Sequence, residues 1–300
     1  MLKGRNGIIA VFLLVLLTVI WGSSFILMKK GMFDADGNPV LSSVHVAGLR
    51  ISLTFLILFP FALYFIGKVP KNKLLPICGV GFFGNAIPAF LFTASEGENG
   101  ISSSLAGMLN ATTPIFTVII GLVLFGMRLS PVNYVGIFMA FLGSFGLMIA
   151  RGTDQLSTEG VYIFYVLMAT FCYGISVNLI RYYLKGINPI AIASISFMFI
   201  GIPVISWLLG EGIIEEVGKD KAHLIGFGFT AILAFFGTAL AVILFNYLVQ
   251  ITNAVFASTV TYLMPIMAIV WGLIFKEFFT WWYVVAIAVI LSGVYLTNKK

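Results

Sequence analysis

The chain reads as long apolar runs separated by short polar gaps. Runs of roughly 20 apolar residues fall near 8–28, 42–66, 74–95, 101–125, 131–150, 161–182, 189–209, 224–249, 253–275 and 280–297. Each is long enough to cross a bilayer as a helix, which takes about 20 residues at 1.5 Å rise. Membrane strands are excluded, because they need segments of about ten residues with strict alternation. The pattern therefore predicts an all-α polytopic membrane protein with ten transmembrane helices. Residues 8–28, preceded by Lys3 and Arg5, resemble a secretion signal. No small-residue cleavage site follows, so the run is read as the first span.

Charge sorts by gap. With the N-terminus inside, the inner gaps hold ten basic residues: Lys3, Arg5, Lys68, Lys71, Lys73, Arg128, Arg181, Lys185, Lys299 and Lys300. They hold no acidic residue. All 11 acidic residues fall in outer gaps, beside six basic ones. The bias of Lys and Arg predicts that both termini are cytoplasmic. Composition agrees: 60% of residues are apolar and 9% charged, where a soluble domain carries roughly 25% charged. The net charge of +6 is spread over the ends of the runs with no basic stripe, so no nucleic-acid partner is expected. Cys78 and Cys172 lie within apolar runs and read as small buried hydrophobes.

The chain repeats at about 150 residues. Phe83-Gly84 matches Phe236-Gly237, Trp21-Gly22 matches Tyr173-Gly174, and Gly146 matches Gly293. Pro114 and Pro265 are each followed seven residues later by a glycine, Gly121 and Gly272. This predicts two domains, 8–150 and 161–297. Five spans per half is an odd number, so the second copy would enter the membrane inverted. That is a common construction of secondary transporters. Proline inside a helix frees a carbonyl and kinks it, so the matched Pro114 and Pro265 are either hinges that shape a cavity or a static packing feature. Small residues at spacing four (Gly136, Ala140 and Ser144; Ala288 and Ser292) allow close helix approach, against the other half or against a second subunit in a homodimer.

Arg50 is the one charge left inside a span, roughly 12 Å deep by helical rise. An intramembrane charge usually faces a bundle interior or a water-filled cavity; pairing with a freed carbonyl or snorkelling to the interface are the alternatives. The candidate substrate-binding set is Arg50, Trp21, Asn85, Asn110, Thr113, Tyr173, Asn178, Asn246 and Tyr262, which together suggest a polar, mostly neutral cavity with an aromatic wall. Amides and hydroxyls in lipid also serve as glue between helices. His45, Glu96 and Glu98 are the candidate coupling groups, near the outer ends of their spans. No Gly-rich phosphate loop and no metalloprotease motif is present, so no catalytic residue, metal or cofactor is expected.

Trp21-Gly22-Ser23-Ser24-Phe25, Gly48-Leu49-Arg50, Thr112-Thr113-Pro114, Leu129-Ser130 with Gly136, and Gly143 with Gly146 resemble elements of the drug/metabolite transporter superfamily, in particular its EamA-type members with two tandem domains. The resemblance covers nearly the whole chain. It implies a ten-helix inner-membrane carrier, with helices one to four and six to nine around a central cavity and helices five and ten at the periphery, often in subunit contacts. It implies export of a small molecule, such as an amino acid, another metabolite or a toxic compound, by alternating access. Movement of a lipid or lipid-linked carrier, or a non-transporting scaffold or sensor, are the competing readings. Two departures stand out. The Gly-Glu pair expected after the proline-bearing helix reads Gly126-Met127 in the first half and Lys276-Glu277 in the second. Arg50 has no charged counterpart around Ser194–Phe197.

Overall fold

The computed structural model describes residues 5–150, 160–274 and 281–297, and Arg151, Asp154, Glu159, Lys276 and Glu277 lie outside them. Among the described residues the chain is helical throughout apart from turns and one isolated bridge, Phe33 to Pro39. We group the helical segments into rods: α1 (Arg5–Met32), α2 (Ser43–Ile66), α3 (Lys71–Ser95), α4 (103–125), α5 (Pro131–Ala150), α6 (Gly160–Tyr183), α7 (Pro189–Gly210), α8 (Lys221–Ile251), α9 (254–274) and α10 (Trp281–Thr297). Seven stretches, within α1–α4 and α6–α8, have the 18 or more residues and the apolarity needed to cross a membrane. In α5, α9 and α10 the qualifying apolar stretches are shorter: Pro131–Gly143, Ala254–Met267 and Val284–Thr297. A short helix, Ile213–Val217, sits in the gap between α7 and α8; the gap's charged residues, Glu211, Glu215, Glu216 and Lys219, gave no apolar periodicity to announce it.

Helix starts follow local chemistry. The Ser42 hydroxyl accepts from the His45 backbone N–H at the start of α2, and Asn188, Asp220 and Asn253 do the same for α7, α8 and α9. Each satisfies one of the amide groups a first helical turn leaves unpaired. Large apolar side chains face outward along the rods, among them Ile8, Phe12, Leu75, Val123 and Phe138, as expected where lipid replaces water.

The packing is reciprocal between the halves. Rod α1 packs on α8 and α9, and α6 packs correspondingly on α3 and α4. Rods α2 and α7 pack on each other, as do α5 and α10. The correspondence holds residue by residue. A Cβ at Gly48 would lie 3.0 Å from Leu208, and one at Gly201 would lie 2.3 Å from Phe55; Gly48 and Phe55 are the counterparts of Gly201 and Leu208 at one offset. A Cβ at Gly143 would press on Ala286 and Ile290, and one at Gly293 on Gly136 and Ala140. The small-residue faces of α5 and α10 are thus used against each other within the chain.

Both third rods contain a π-helical segment, Phe82–Ala86 in α3 and Leu233–Leu240 in α8. Each holds the repeated Phe-Phe-Gly motif. A π segment carries an extra residue per turn and strains the ladder, and such segments concentrate at functional sites. In α3 the Asn85 amide donates to the carbonyl five residues back, Val80, at 3.2 Å. In α8 the Thr238 hydroxyl donates to Leu233, also five back, at 3.2 Å. Asn85 and Thr238 occupy the same position of the repeat, so both halves mend the wider turn with a side chain.

Candidate functional site

A cavity of about 100 Å³ lies where the halves meet, its wall mostly apolar with polar groups set into it. Its lining comes from α1–α4 and α6–α9. Arg50, Trp21, Asn85, Asn110, Thr113, Tyr173 and Asn246 all face it. Asn178 and Tyr262 do not. The Asn178 amide donates to Thr117 O at 2.9 Å and Gly174 O at 2.8 Å, tying α6 to α4. The Tyr262 hydroxyl donates to Ile137 O at 3.1 Å, tying α9 to α5. Both are buried between helices.

Arg50 is the only charged residue in the lining. Its Nε donates to Thr238 Oγ1 at 2.7 Å, so the guanidinium is anchored on the π segment of α8. Reciprocal packing of Gly48 with Gly201 puts Pro203, seven residues or so beyond the stretch expected from sequence, opposite Arg50 in the repeat. The second half supplies no charge there. Trp21 uses the same π segment from another side: its Nε1 donates to Gly237 O at 3.0 Å. A carbonyl freed by the irregular turn thereby gains a partner, as burial in an apolar medium demands.

The aromatic wall is paired across the repeat. Trp21 meets Phe245 with ring centroids 5.1 Å apart, and Tyr173 stacks on Phe92 at 6.0 Å. Close crossings hold these pairs. A Cβ at Gly84 would fall 2.3 Å from Ser176 Oγ, and one at Gly237 would fall 2.6 Å from Ser24 Oγ. Glycine at these two positions lets α3 approach α6 and α8 approach α1, which draws the lining together. Sequence inspection registered the Phe-Gly repeat but not its π geometry. Ser24, Ser176 and Thr238, polar residues of the spans outside the expected binding set, also line the cavity.

The fourth rods break near the cavity. In α4 a 3₁₀ turn, Asn110–Thr112, precedes the helix that begins at Thr113, with Pro114 in its first turn. There Pro114 forfeits no hydrogen bond, because the first-turn amides have no helical partner. In α9 the break falls at Thr259, and Pro265 lies inside the following helix. The Asn110 amide faces Met264 Sδ at 3.0 Å, and the Thr113 hydroxyl donates to Asn110 O at 2.8 Å.

The three candidate coupling groups separate. Glu98 is exposed. Glu96, just beyond α3, is 1% exposed. Its Oε2 accepts from the Ser103 hydroxyl across the turn to α4, and its Oε1 has no partner. Burial pushes the Glu96 carboxyl up to about 8, against the Ser103 hydrogen bond and the Lys29 charge that lower it. His45 Nδ1 lies against Glu216 Oε2 on the short helix Ile213–Val217, in ion-pair contact but without hydrogen-bond alignment. None of the three reaches the cavity lining. Among the described residues no group of three or more His, Cys, Asp or Glu is placed to hold a metal.

A helical membrane protein whose two halves close around a shared chamber, with one charge, several polar groups and an aromatic wall turned inward, has the build of a carrier. The sequence model of the EamA-like transporter family matches residues 8–149 and 160–299. The chain belongs to that family, with two EamA-like domains, and is a small-molecule transporter rather than an enzyme. It is 28% identical over 241 residues to a probable amino-acid metabolite efflux pump of Salmonella typhimurium, covering 79% of this chain and 75% of that one. It is 25% identical over 263 residues to the uncharacterized inner membrane transporter YedA of Escherichia coli K12, covering 85% and 79%. A solved crystal structure shares the fold, with a TM-score of 0.69 over 98% of this chain and 97% of that one at 13% identity.

Proposed function

We propose that the chain exports a small polar or amphipathic metabolite across the inner membrane by alternating access. In this reading it has ten spans in two inverted five-helix domains, 8–150 and 161–297, with both termini cytoplasmic. The observation that carries the reading is the reciprocity of the packing around a single cavity. Exchange of two nearly equivalent arrangements of the halves would open that cavity first to one side and then to the other, as in other inverted-repeat carriers. The sorting of Lys and Arg into alternate gaps supports the orientation. The relatives described as an efflux pump and an inner membrane transporter support the direction and the membrane. A homodimer of such units is compatible with the reading.

The moving parts in this reading are the irregular segments. The π segments of α3 and α8 and the breaks before Pro114 and Pro265 lack a continuous α-helical ladder and so bend at lower cost. Protein in liposomes preloaded with a metabolite panel should show counterflow for at least one compound, and Arg50→Ala should abolish it. Sidedness is tested in a background with Cys78 and Cys172 replaced by Ala. Ser24→Cys and Ser176→Cys should then exchange accessibility to an impermeant thiol reagent when cargo is added. Absence of counterflow over a broad panel, or accessibility fixed to one face, would overturn the reading.

A further inference from the structure

The cavity is unbalanced in charge and in hydrogen bonding, and the imbalance describes its cargo. Arg50 spends Nε on Thr238, and its terminal nitrogens make no hydrogen bond to the protein among the described residues. No Asp, Glu or His lines the cavity to neutralise it. A buried cation without a counter-charge is costly, and a guanidinium fork matches a carboxylate in a two-bond pairing. On the same rod as Thr238, eight residues on, Asn246 is 1% exposed and lines the cavity, and its amide Nδ2 has no partner. Its counterpart in the first half, Thr93, is satisfied by Ala89 O at 2.8 Å. Thr238 and Asn246 are separated by roughly 12 Å of helical rise. Aromatic and aliphatic groups fill the wall: Trp21, Phe25, Phe92, Phe245 and Val242.

We infer that the cargo is a small organic monocarboxylate, held by Arg50 at its anionic end, with an apolar body against the aromatic wall and a neutral acceptor such as a carbonyl at its far end facing Asn246. This rests on the reading of the cavity as the cargo site. Several observations select the class. One arginine balances one negative charge, which favours a monocarboxylate over a phosphate dianion. The lining offers no carboxylate to an ammonium group, which disfavours amines and leaves the amino group of a zwitterion without an ionic partner. The volume of about 100 Å³ is well below the roughly 300–1,000 Å³ of sites for drug-sized ligands, so the cargo is small.

The test is ligand-induced thermal stabilisation of the purified protein in detergent with a matched series of six-carbon probes: hexanoate, hexanamide, hexylamine, norleucine and hexyl phosphate, with 5-oxohexanoate to supply the far carbonyl. Hexanoate should protect at concentrations roughly tenfold or more below hexanamide, hexylamine and norleucine, the ratio expected for one charge-assisted hydrogen-bonded pair. Arg50→Gln should erase the preference for hexanoate over hexanamide. Arg50→Lys, which keeps charge and loses the fork, should retain part of it, and it serves where the Gln variant does not fold. Asn246→Ala should erase the preference for 5-oxohexanoate over hexanoate. Equal or better protection by hexylamine or norleucine, tighter binding of hexyl phosphate, unaltered hexanoate binding in Arg50→Gln, or no protection by any probe would each overturn the inference. The measurement is separable from transport. Arg50-dependent hexanoate binding without counterflow of any solute keeps the site and fails the carrier reading. Counterflow of norleucine or hexylamine without hexanoate binding does the reverse.

Discussion

The two halves agree where helices touch and differ where the cavity begins. Gly48 and Gly201 admit each other's partner rods, Gly84 and Gly237 admit Ser176 and Ser24, and Gly143 and Gly293 interlock α5 with α10. At the cavity the pairs diverge: in the repeat Arg50 corresponds to Pro203, Asn85 to Thr238, Trp21 to Tyr173, and Asn246 to Thr93. Close packing tolerates little change, because a methyl group too many has nowhere to go. A cavity wall has space on one side, so its residues are free to specialise. Pseudo-symmetry in this chain therefore belongs to the framework, and recognition is asymmetric.

Breaking the framework should have the largest effect. Gly293→Val places Cβ 2.4 Å from the Ala140 backbone nitrogen, a contact no rotamer relieves. We expect a loss of about 3 kcal/mol and a comparable loss for Gly143→Val, read as a lower melting temperature in detergent. A large effect at one and none at the other would break the equivalence of the halves.

The π segments come next. Asn85→Leu removes the side-chain bond to Val80 O, and Thr238→Val removes the side-chain bond to Leu233 O and the partner of Arg50 Nε. Each should cost about 1–3 kcal/mol, the second more than the first. Thr238→Val should also weaken cargo binding, since it releases Arg50. Smaller again is the aromatic pair. Trp21→Phe removes the bond to Gly237 O and should cost about 1 kcal/mol. Tyr173→Phe should cost less, because among the described residues its hydroxyl makes no hydrogen bond to the protein.

A further test, read through pH, falls at Glu96, whose counterpart Val249 is apolar. Its carboxyl rises from the ordinary 4.5 to about 8 on folding. The folded state then binds the proton that the unfolded state has released. Stability from this group is fully present below about 4.5, declines as pH rises, and is lost through 8. Melting temperature should fall across that window in the wild type, and Glu96→Gln should flatten the slope. An unchanged slope in Glu96→Gln would show that burial does not raise the Glu96 carboxyl.

Sequence made much of the framework legible because its signals are local and repeated: run length gave the rods, and Trp21-Gly22, Phe83-Gly84 and Pro114 gave the duplication. Arg50 was legible for the same reason, as a single charge against an apolar background. The π segments were not, because a wider turn leaves no mark on hydrophobic periodicity over five residues. Asn178 and Tyr262 were read with the cavity group because an amide or phenol looks the same whether it faces a chamber or a neighbouring backbone carbonyl. Only the packing of α6 on α4 and of α9 on α5 separates the two. The unpaired state of Asn246 is likewise a property of its surroundings, invisible in the residue itself.

The reciprocal seam between α2 and α7 has an ancestral consequence. A surface on which residue i meets j while the copy of j meets the copy of i is the mark of a two-fold interface between identical subunits. One half of this chain is therefore shaped to bind a second half of its own kind. A single-domain ancestor could have closed the same chamber as a pair of separate chains. In that pair any change to the wall appeared twice. Joining the copies into one polypeptide released the constraint, and an arginine in one half with no charged counterpart in the other became possible.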